Sequence, residues 1–351
     1  MDYGLLLLGE HGLDRLLKLA HFAEDNQFQH LWYADEKFFR DPYVSLTYLA
    51  QHTSRIKLAT CVTDPYTRHP ALSAMAMASL DEVANGRAVL GIGAGSSGLH
   101  AMNLHQTKPV VALREAIGLI QQLWAGETVT VEGEVVSFHG GELNFKARPD
   151  IPVVIATSGR QILRLAGEVA DGVMLGDLAS ARVITAAMAE VKRGAERAGR
   201  SLDNVKFFSR ANLILSDDPA AARAPMRPWI ANGMWHMAGK WEYFLNYSPD
   251  WEERFQEIKA FIERQGGRPR NVGDLALIAP YTSLVSDDLV RDAALAGTVE
   301  EVARQIVEIA GTGVHEVTLY PMALEEQTLE SVLERFVSEV LPAVKQMQKE
   351  G

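Results

Sequence analysis

Cysteine is nearly absent from this 351-residue chain: Cys61 stands alone. That excludes an internal disulfide framework and a cysteine-based metal centre, and it fits a reducing compartment. Positive charge is also scarce. Lys and Arg number 34 against 45 Asp and Glu, a formal net charge of -11, which argues against nucleic acid or an anionic membrane as partner. No apolar run spans a bilayer, and the opening MDYGLLLLGEHG lacks the basic region and length of a signal peptide. No His, Cys, Asp and Glu set has metal-ligand spacing, and no nucleophile elbow occurs, so metal and acyl-transfer chemistry are not expected. Internal repeats and low-complexity tracts are missing as well. A cytoplasmic enzyme acting on a small molecule is the expectation, with no nucleic acid, membrane or metal involved.

What is present is an alternation of strand and helix patterns along almost the whole chain. Strands are expected at 3–8, 30–34, 56–62, 88–92, 152–156, 172–175, 205–215 and 316–319. Helices are expected at 13–26, 42–53, from Pro70, and at 109–124, 161–169, 181–198 and 328–348. A hairpin is expected at 128–131 and 135–138. Eight core strands with helices between them predict a closed (β/α)8 TIM barrel rather than an open doubly wound sheet. The chain then reads as a single barrel domain, 1–351, with a helical insertion at 217–297 between the seventh and eighth strands. That insertion holds four of the six tryptophans. Its aromatics either form a small core of their own or, at Met234 and Trp235, roof a substrate pocket.

Residues 56–98 contain two loops at strand C-terminal ends, separated by one helix that Asn85-Gly86 closes. The second loop, Gly93-Ala94-Gly95-Ser96-Ser97-Gly98, is a literal Gly-x-Gly-x-x-Gly. A dinucleotide fingerprint would open a helix directly and place an acidic residue at the end of the next strand. Here the next helix begins only near Lys108 and the acid at that distance, Glu115, lies inside it. A loop whose backbone approaches a flat or phosphorylated ligand is the reading that survives.

Barrel enzymes place their chemistry at strand C-terminal ends. Those positions here include Glu10 and His11, then Asp35, Glu36 and Lys37, then Cys61 to Asp64, Ala94 to Ser97, and Thr157 to Arg160. Asp35 and Glu36 are adjacent on an extended segment and so do not face each other as a glycosidase pair. Glu36 has two cations close in sequence, Lys37 and Arg40, as ion-pair partners. The Thr157-Ser158-Gly159-Arg160 run is either a phosphate-binding helix start or a plain start capped by Ser158.

The run NGRAVLGIGAG at 85–95, the upstream VTDPYTRHPALSAMAMASLDE, the TSGRQILRLAGEVADGVML segment and the late ALAGTVEEVARQIVEIAGTGVHEVTLYP together resemble the luciferase-like flavin and deazaflavin oxidoreductases. Within that superfamily the chain is most similar to the methylenetetrahydromethanopterin reductase branch, which uses coenzyme F420. The resemblance implies a barrel of the bacterial luciferase type and hydride transfer between the deazaflavin and a small organic substrate. It also implies a homodimer or higher homo-oligomer. An FMN-dependent monooxygenase and a non-catalytic flavin-binding protein are the alternatives.

Carried over residue by residue, the resemblance places the ring against a backbone bulge at Cys61-Val62 with a non-prolyl cis peptide, continued by Thr63 and Asp64. Asp35 lies near the ring, and the phosphate chain runs past Ala94, Gly95 and Ser96 to Thr157, Ser158, Gly159 and Gln161. Glu36 becomes the candidate catalytic group, with Glu10, His11, Met234 and Trp235 on the substrate side. Glu36 stands where deazaflavin-dependent sugar-phosphate dehydrogenases have histidine, and Ser96 where they have glutamate. Leu6 stands where methanopterin reductases have glutamate. These departures speak against glucose-6-phosphate and tetrahydropterin as substrates.

Overall fold

A computed structural model of the chain describes residues 1–350 apart from 96, 178, 237–255, 258–259, 261–263, 265–281 and 284. Eight parallel strands form the barrel: β1 (Asp2–Leu7), β2 (His30–Tyr33), β3 (Lys57–Thr60), β4 (Ala88–Ile92), β7 (Val153–Thr157), β8 (Gly172–Gly176), β9 (Lys206–Leu215) and β11 (Glu316–Pro321). β1 pairs with β2 through Leu5 and Leu31 and with β11 through Leu5 and Leu319, which closes the ring. Between β4 and β7 lies the antiparallel hairpin β5 (Val129–Glu132) and β6 (Ser137–Gly141). The main helices in chain order are α1 (Leu13–Asp25), α2 (Pro42–His52), α3 (Pro70–Val83), α4 (Pro109–Trp124), α5 (Arg160–Val169) and α6 (Ala181–Arg197).

The chain divides into two compact units. The first comprises Met1–Gly176, Ala187–Arg210 and Val314–Tyr320 and contains all eight barrel strands, β9 and β11 in part. Leu6, Trp32, Ala34, Ala59, Val89, Val154, Met174 and Phe208 point into its barrel and are buried. Leu6, Val89, Val154, Met174 and Phe208 each contribute about 1.5–3 kcal/mol on leaving water. One charge sits among them. Glu316, 1% exposed, lies 2.5 Å from His30 Nδ1 and accepts from Trp32 Nε1 at 3.0 Å and Thr318 Oγ1 at 2.8 Å. These partners supply what a buried carboxylate loses on leaving water.

The second unit comprises Asp177–Ala186, Ala211–Gly313 and Pro321–Gly351. It holds α7 (Pro219–Arg223), α8 (Met226–His236), α9 (Asp287–Ala293), β10 (Ala294–Gly297), α10 (Val299–Ala310), α11 (Leu329–Arg335) and α12 (Leu341–Glu350). β10 pairs in parallel with residues 212–215. Ile214, Met226, Val285, Leu289 and Val290 are buried in its core.

Three elements differ from the sequence expectation. The tail of the 217–297 segment is a strand, β10, made of the small residues Ala-Leu-Ala-Gly. The hairpin's return strand begins at Ser137 rather than Val135, because the amides of Glu134, Val135 and Val136 donate to the Glu115 carboxylate at 2.8–3.0 Å. The expected C-terminal helix is interrupted by a π turn over Phe336–Val340. Pro342 lies just past it and has no N–H to give to the preceding turn.

Candidate active site

The C-terminal ends of β2, β3 and β4 carry three loops that interlock within the barrel unit. After β3 the Cys61–Val62 peptide is cis, as the resemblance implies. The chain then rejoins β4: Thr63 N–H donates to Gly91 O at 3.0 Å, and Gly93 N–H donates to Thr63 O at 2.9 Å. Cys61 Sγ lies 3.4 Å from Met174 Sδ, and its thiol is half-buried.

After β2, Asp35, Glu36 and Lys37 separate into different roles. The Lys37 ammonium lies 2.8 Å from Asp35 Oδ1 and 3.1 Å from Asp64 Oδ2, and donates to the Asp35 carbonyl at 3.2 Å. The three side chains are 12%, 8% and 2% exposed, so the ion triplet is largely out of water. Glu36 pairs with neither Lys37 nor Arg40. Its Oε1 accepts from the Ser97 hydroxyl, whose oxygen accepts from Lys37 N–H at 3.0 Å. Arg40 donates instead to the carbonyls of Gly9 at 2.9 Å and Glu10 at 3.2 Å. The ion-pair reading of Glu36 is therefore corrected: local sequence offered two cations, and both are taken by other acceptors.

Asp64 has no oxygen to spare. Oδ1 accepts from Tyr66 N–H at 2.9 Å and Thr67 N–H at 2.8 Å, while Oδ2 takes Thr67 Oγ1 at 2.7 Å besides Lys37. Asp35 Oδ2 and Glu36 Oε2, by contrast, have no protein partner among the described residues.

The Gly-x-Gly-x-x-Gly loop packs on these side chains. Gly95 has φ +66°, and a Cβ there would lie 2.6 Å from Asp64 Cβ. Gly98 has φ +67°, and a Cβ there would lie 2.5 Å from Lys37 Cβ. Both positions require glycine twice over, for backbone and for space. Gln106 Nε2 pins the loop by donating to Ala94 O at 2.9 Å and Gly95 O at 2.7 Å. Ser96 lies outside the described residues.

The β7 loop leads into α5, whose N-cap is Gly159 with φ -83° and no side-chain cap bond. Ser158 is thus not the cap; Thr157 Oγ1 accepts from Gly159 N–H at 2.9 Å instead. Arg160 turns toward Glu190 at 3.4 Å. The first-turn amides of α5 have no intrahelical acceptor and no side-chain cap bond. Thr157, Ser158 and Gly159 are half-buried and Gln161 is exposed.

Beside the β2 loop, just past the end of β1, His11 Nε2 lies 3.3 Å from Glu10 Oε1. Two residues that sequence reasoning passed over stand nearby. Tyr320 at the end of β11 has its phenol pushed up to about 12 by burial, with Glu10 and Glu36 adding to the effect, and the Arg210 guanidinium lies 5.4 Å from its ring centre. Their signal was position alone: Tyr320 is next to last in β11, and Arg210, in the middle of β9, pairs with Gly176, the last residue of β8. Met234 and Trp235 fall in the last turn of α8, and their side chains lie outside the described residues. Among the described residues no group of His, Cys, Asp and Glu could hold a metal ion, and no helix is long and apolar enough to cross a membrane.

Comparison with known proteins follows the same lines. The sequence model of the luciferase-like monooxygenase family matches residues 1–316. The 5,10-methylenetetrahydromethanopterin reductase of Methanolobus tindarius is 31% identical over 308 residues, 87% of this chain and 90% of that protein. An F420-dependent glucose-6-phosphate dehydrogenase of Kineococcus radiotolerans is 32% identical over 234 residues, 60% of this chain and 68% of that protein. Among solved structures, the coenzyme F420-dependent tetrahydromethanopterin reductase from Methanopyrus kandleri superposes with TM-score 0.76 at 26% identity, covering 97% of this chain and 98% of that one.

Proposed function

Because the chain belongs to the luciferase-like monooxygenase family, we propose that it is an oxidoreductase of that family's F420-dependent branch, moving a hydride between the deazaflavin and a small organic substrate. The observation that carries this reading is the interlocking of the β2, β3 and β4 loops around Asp35 and the Cys61–Val62 bulge, in a chain similar along nearly its whole length to F420-dependent reductases. The residues fit such a coenzyme. Gly159 leaves the start of α5 without a side chain or cap bond, a place for a phosphate. Asp35 Oδ2 is a nearly buried acceptor with no protein partner, placed for the N–H edge of a ring.

Bound there, the coenzyme supplies a two-electron hydride donor or acceptor. The chain's own residues do the rest. Cys61, Val62 and Thr63 form the backing for the ring, Ala94, Gly95 and Ser96 flank the chain that leads to the phosphate, and Thr157, Ser158, Gly159 and Gln161 hold it. Asp64 supports the seat from behind. Glu36, with Oε1 on Ser97 and Oε2 open, gives a proton to the substrate on reduction and takes one on oxidation. Glu10 and His11 line the substrate side.

We propose further that the chain is one barrel domain with 217–297 as its insertion, works in the reducing cytoplasm where the Cys61 thiol stays reduced, and forms a homodimer. Val44, Leu72 and Met75 support the last point, being 65%, 50% and 45% exposed on α2 and α3. Reduced F420 mixed with a panel of small carbonyl, imine and activated alkene acceptors tests the function. The expected outcome is enzyme-dependent reoxidation with one acceptor class and no oxygen consumption. Oxygen uptake with reduced FMN, and no turnover of F420, would assign the chain to the monooxygenases instead.

A further inference from the structure

All three loops of the ring seat converge on one residue, Lys37. Lys37 has three N–H bonds and three acceptors: Asp35 Oδ1, the Asp35 carbonyl and Asp64 Oδ2. None is left for a ligand. Its backbone N–H holds Ser97, and Ser97 holds Glu36. Its Cβ sits where any side chain at position 98 would be. The residue touches every part of the seat and offers nothing outward.

Charge explains why a cation is needed there. Asp35 and Asp64 are 8% and 2% exposed and share this one ammonium. Among the described residues no other cation pairs with them. Arg40 is spent on the carbonyls of Gly9 and Glu10, and Arg68 on Asp41 at 2.7 Å. Glu36 on the same loop adds a negative charge. Tyr43 from α2 and Tyr66 from the β3 loop have phenols pushed up to about 12, chiefly by burial, and stay neutral. Two nearly buried carboxylates without a cation between them repel each other, and one must bind a proton.

We propose that Lys37 is the positioning residue of the site: it holds Asp35 and Asp64 side by side and so fixes Asp35 Oδ2, the open acceptor, toward the ring edge of the coenzyme. The coenzyme part of this inference rests on the F420 reading given above; the charge-balance part does not.

Lys37→Met and the double variant Lys37→Met/Asp64→Asn separate the two. In the free chain, thermal midpoints are followed from pH 5.5 to pH 8. In Lys37→Met the retained proton has a folded-state affinity above the unfolded one, so its stabilisation is present at low pH and is lost as pH rises. The deficit against wild type is therefore expected to widen toward pH 8. In Lys37→Met/Asp64→Asn, which removes the surplus charge, that widening disappears. F420 titrated by tryptophan quenching is expected to bind Lys37→Met about tenfold or more weakly at pH 8, with partial recovery at pH 5.5 and with recovery in the double variant. A Lys37→Met chain that parallels wild type in both readouts overturns the proposal, as does a double variant as impaired as the single one. If Lys37→Met does not fold at pH 8, the double variant decides by the same two readouts. Failure of wild type itself to bind F420 overturns the coenzyme reading and leaves the free-chain comparison to judge the role of Lys37.

Discussion

The Ser97 hydroxyl donates to Glu36 Oε1 across two barrel loops while accepting from the Lys37 amide at 3.0 Å. This bond aims one carboxylate oxygen at the loop and leaves the other open, which is the arrangement a proton-transfer group needs. Glu36→Gln keeps an oxygen for Ser97 but cannot carry a proton at useful pH. Turnover is expected to fall about 100-fold or more, with F420 affinity and thermal midpoint close to wild type. Wild-type turnover would move the proton role to Asp35 or Glu10.

Gly159→Asp places a carboxylate at the helix start read as the phosphate site. The substitution fits the backbone, since φ is -83° and the nearest atom to a Cβ is Thr157 Oγ1 at 3.5 Å. F420 binding is expected to weaken by about 1–3 kcal/mol without loss of stability. Unchanged affinity in a fluorescence titration would put the phosphate elsewhere.

Gly95→Ala tests the packing of the glycine-rich loop on Asp64. With φ +66° and a contact of 2.6 Å to the Asp64 Cβ, the added methyl is expected to destabilise the fold by about 1–3 kcal/mol. Urea unfolding measures it, and a midpoint equal to wild type would show that the loop yields freely.

Glu24 gives the pH dependence a definite sign. Burial raises its carboxyl, but backbone N–H donations from Arg55 at 2.5 Å, Ile56 at 3.0 Å and Ser54 at 2.9 Å outweigh burial and hold it below the ordinary glutamate range. A depressed folded-state value gives stability that is full above the unfolded value and is lost as pH falls through the folded one. Glu24→Gln is therefore expected to cost about 1–3 kcal/mol at neutral pH, with the gap to wild type closing below about pH 4. A gap constant with pH in denaturant titrations would contradict this assignment.

Much of the barrel was legible because its signals are local. Pro109 opens α4 and Gly126 follows its end, and the range read from the sequence, 109–124, is the one observed. Asn85-Gly86, both at positive φ, closed α3 as expected. The partners of the site residues were not legible, since they come from other strands. Nothing near Lys37 in sequence announces Asp64, and nothing in the Gly-x-Gly-x-x-Gly run says that its glycines make room for those two side chains. Glu115 repeats the lesson: it is neither the acid of a dinucleotide fingerprint nor a plain helix residue, but an acceptor for three amides of the hairpin turn.

The central claim, a deazaflavin held at the C-terminal mouth of this barrel, is tested most directly by titrating the chain's tryptophan fluorescence with F420 and, separately, with FMN under anaerobic conditions. The account predicts saturable quenching by F420 with a dissociation constant on the order of micromolar, and FMN binding at least about tenfold weaker. FMN binding tighter than F420, or no saturable quenching by F420, would contradict it.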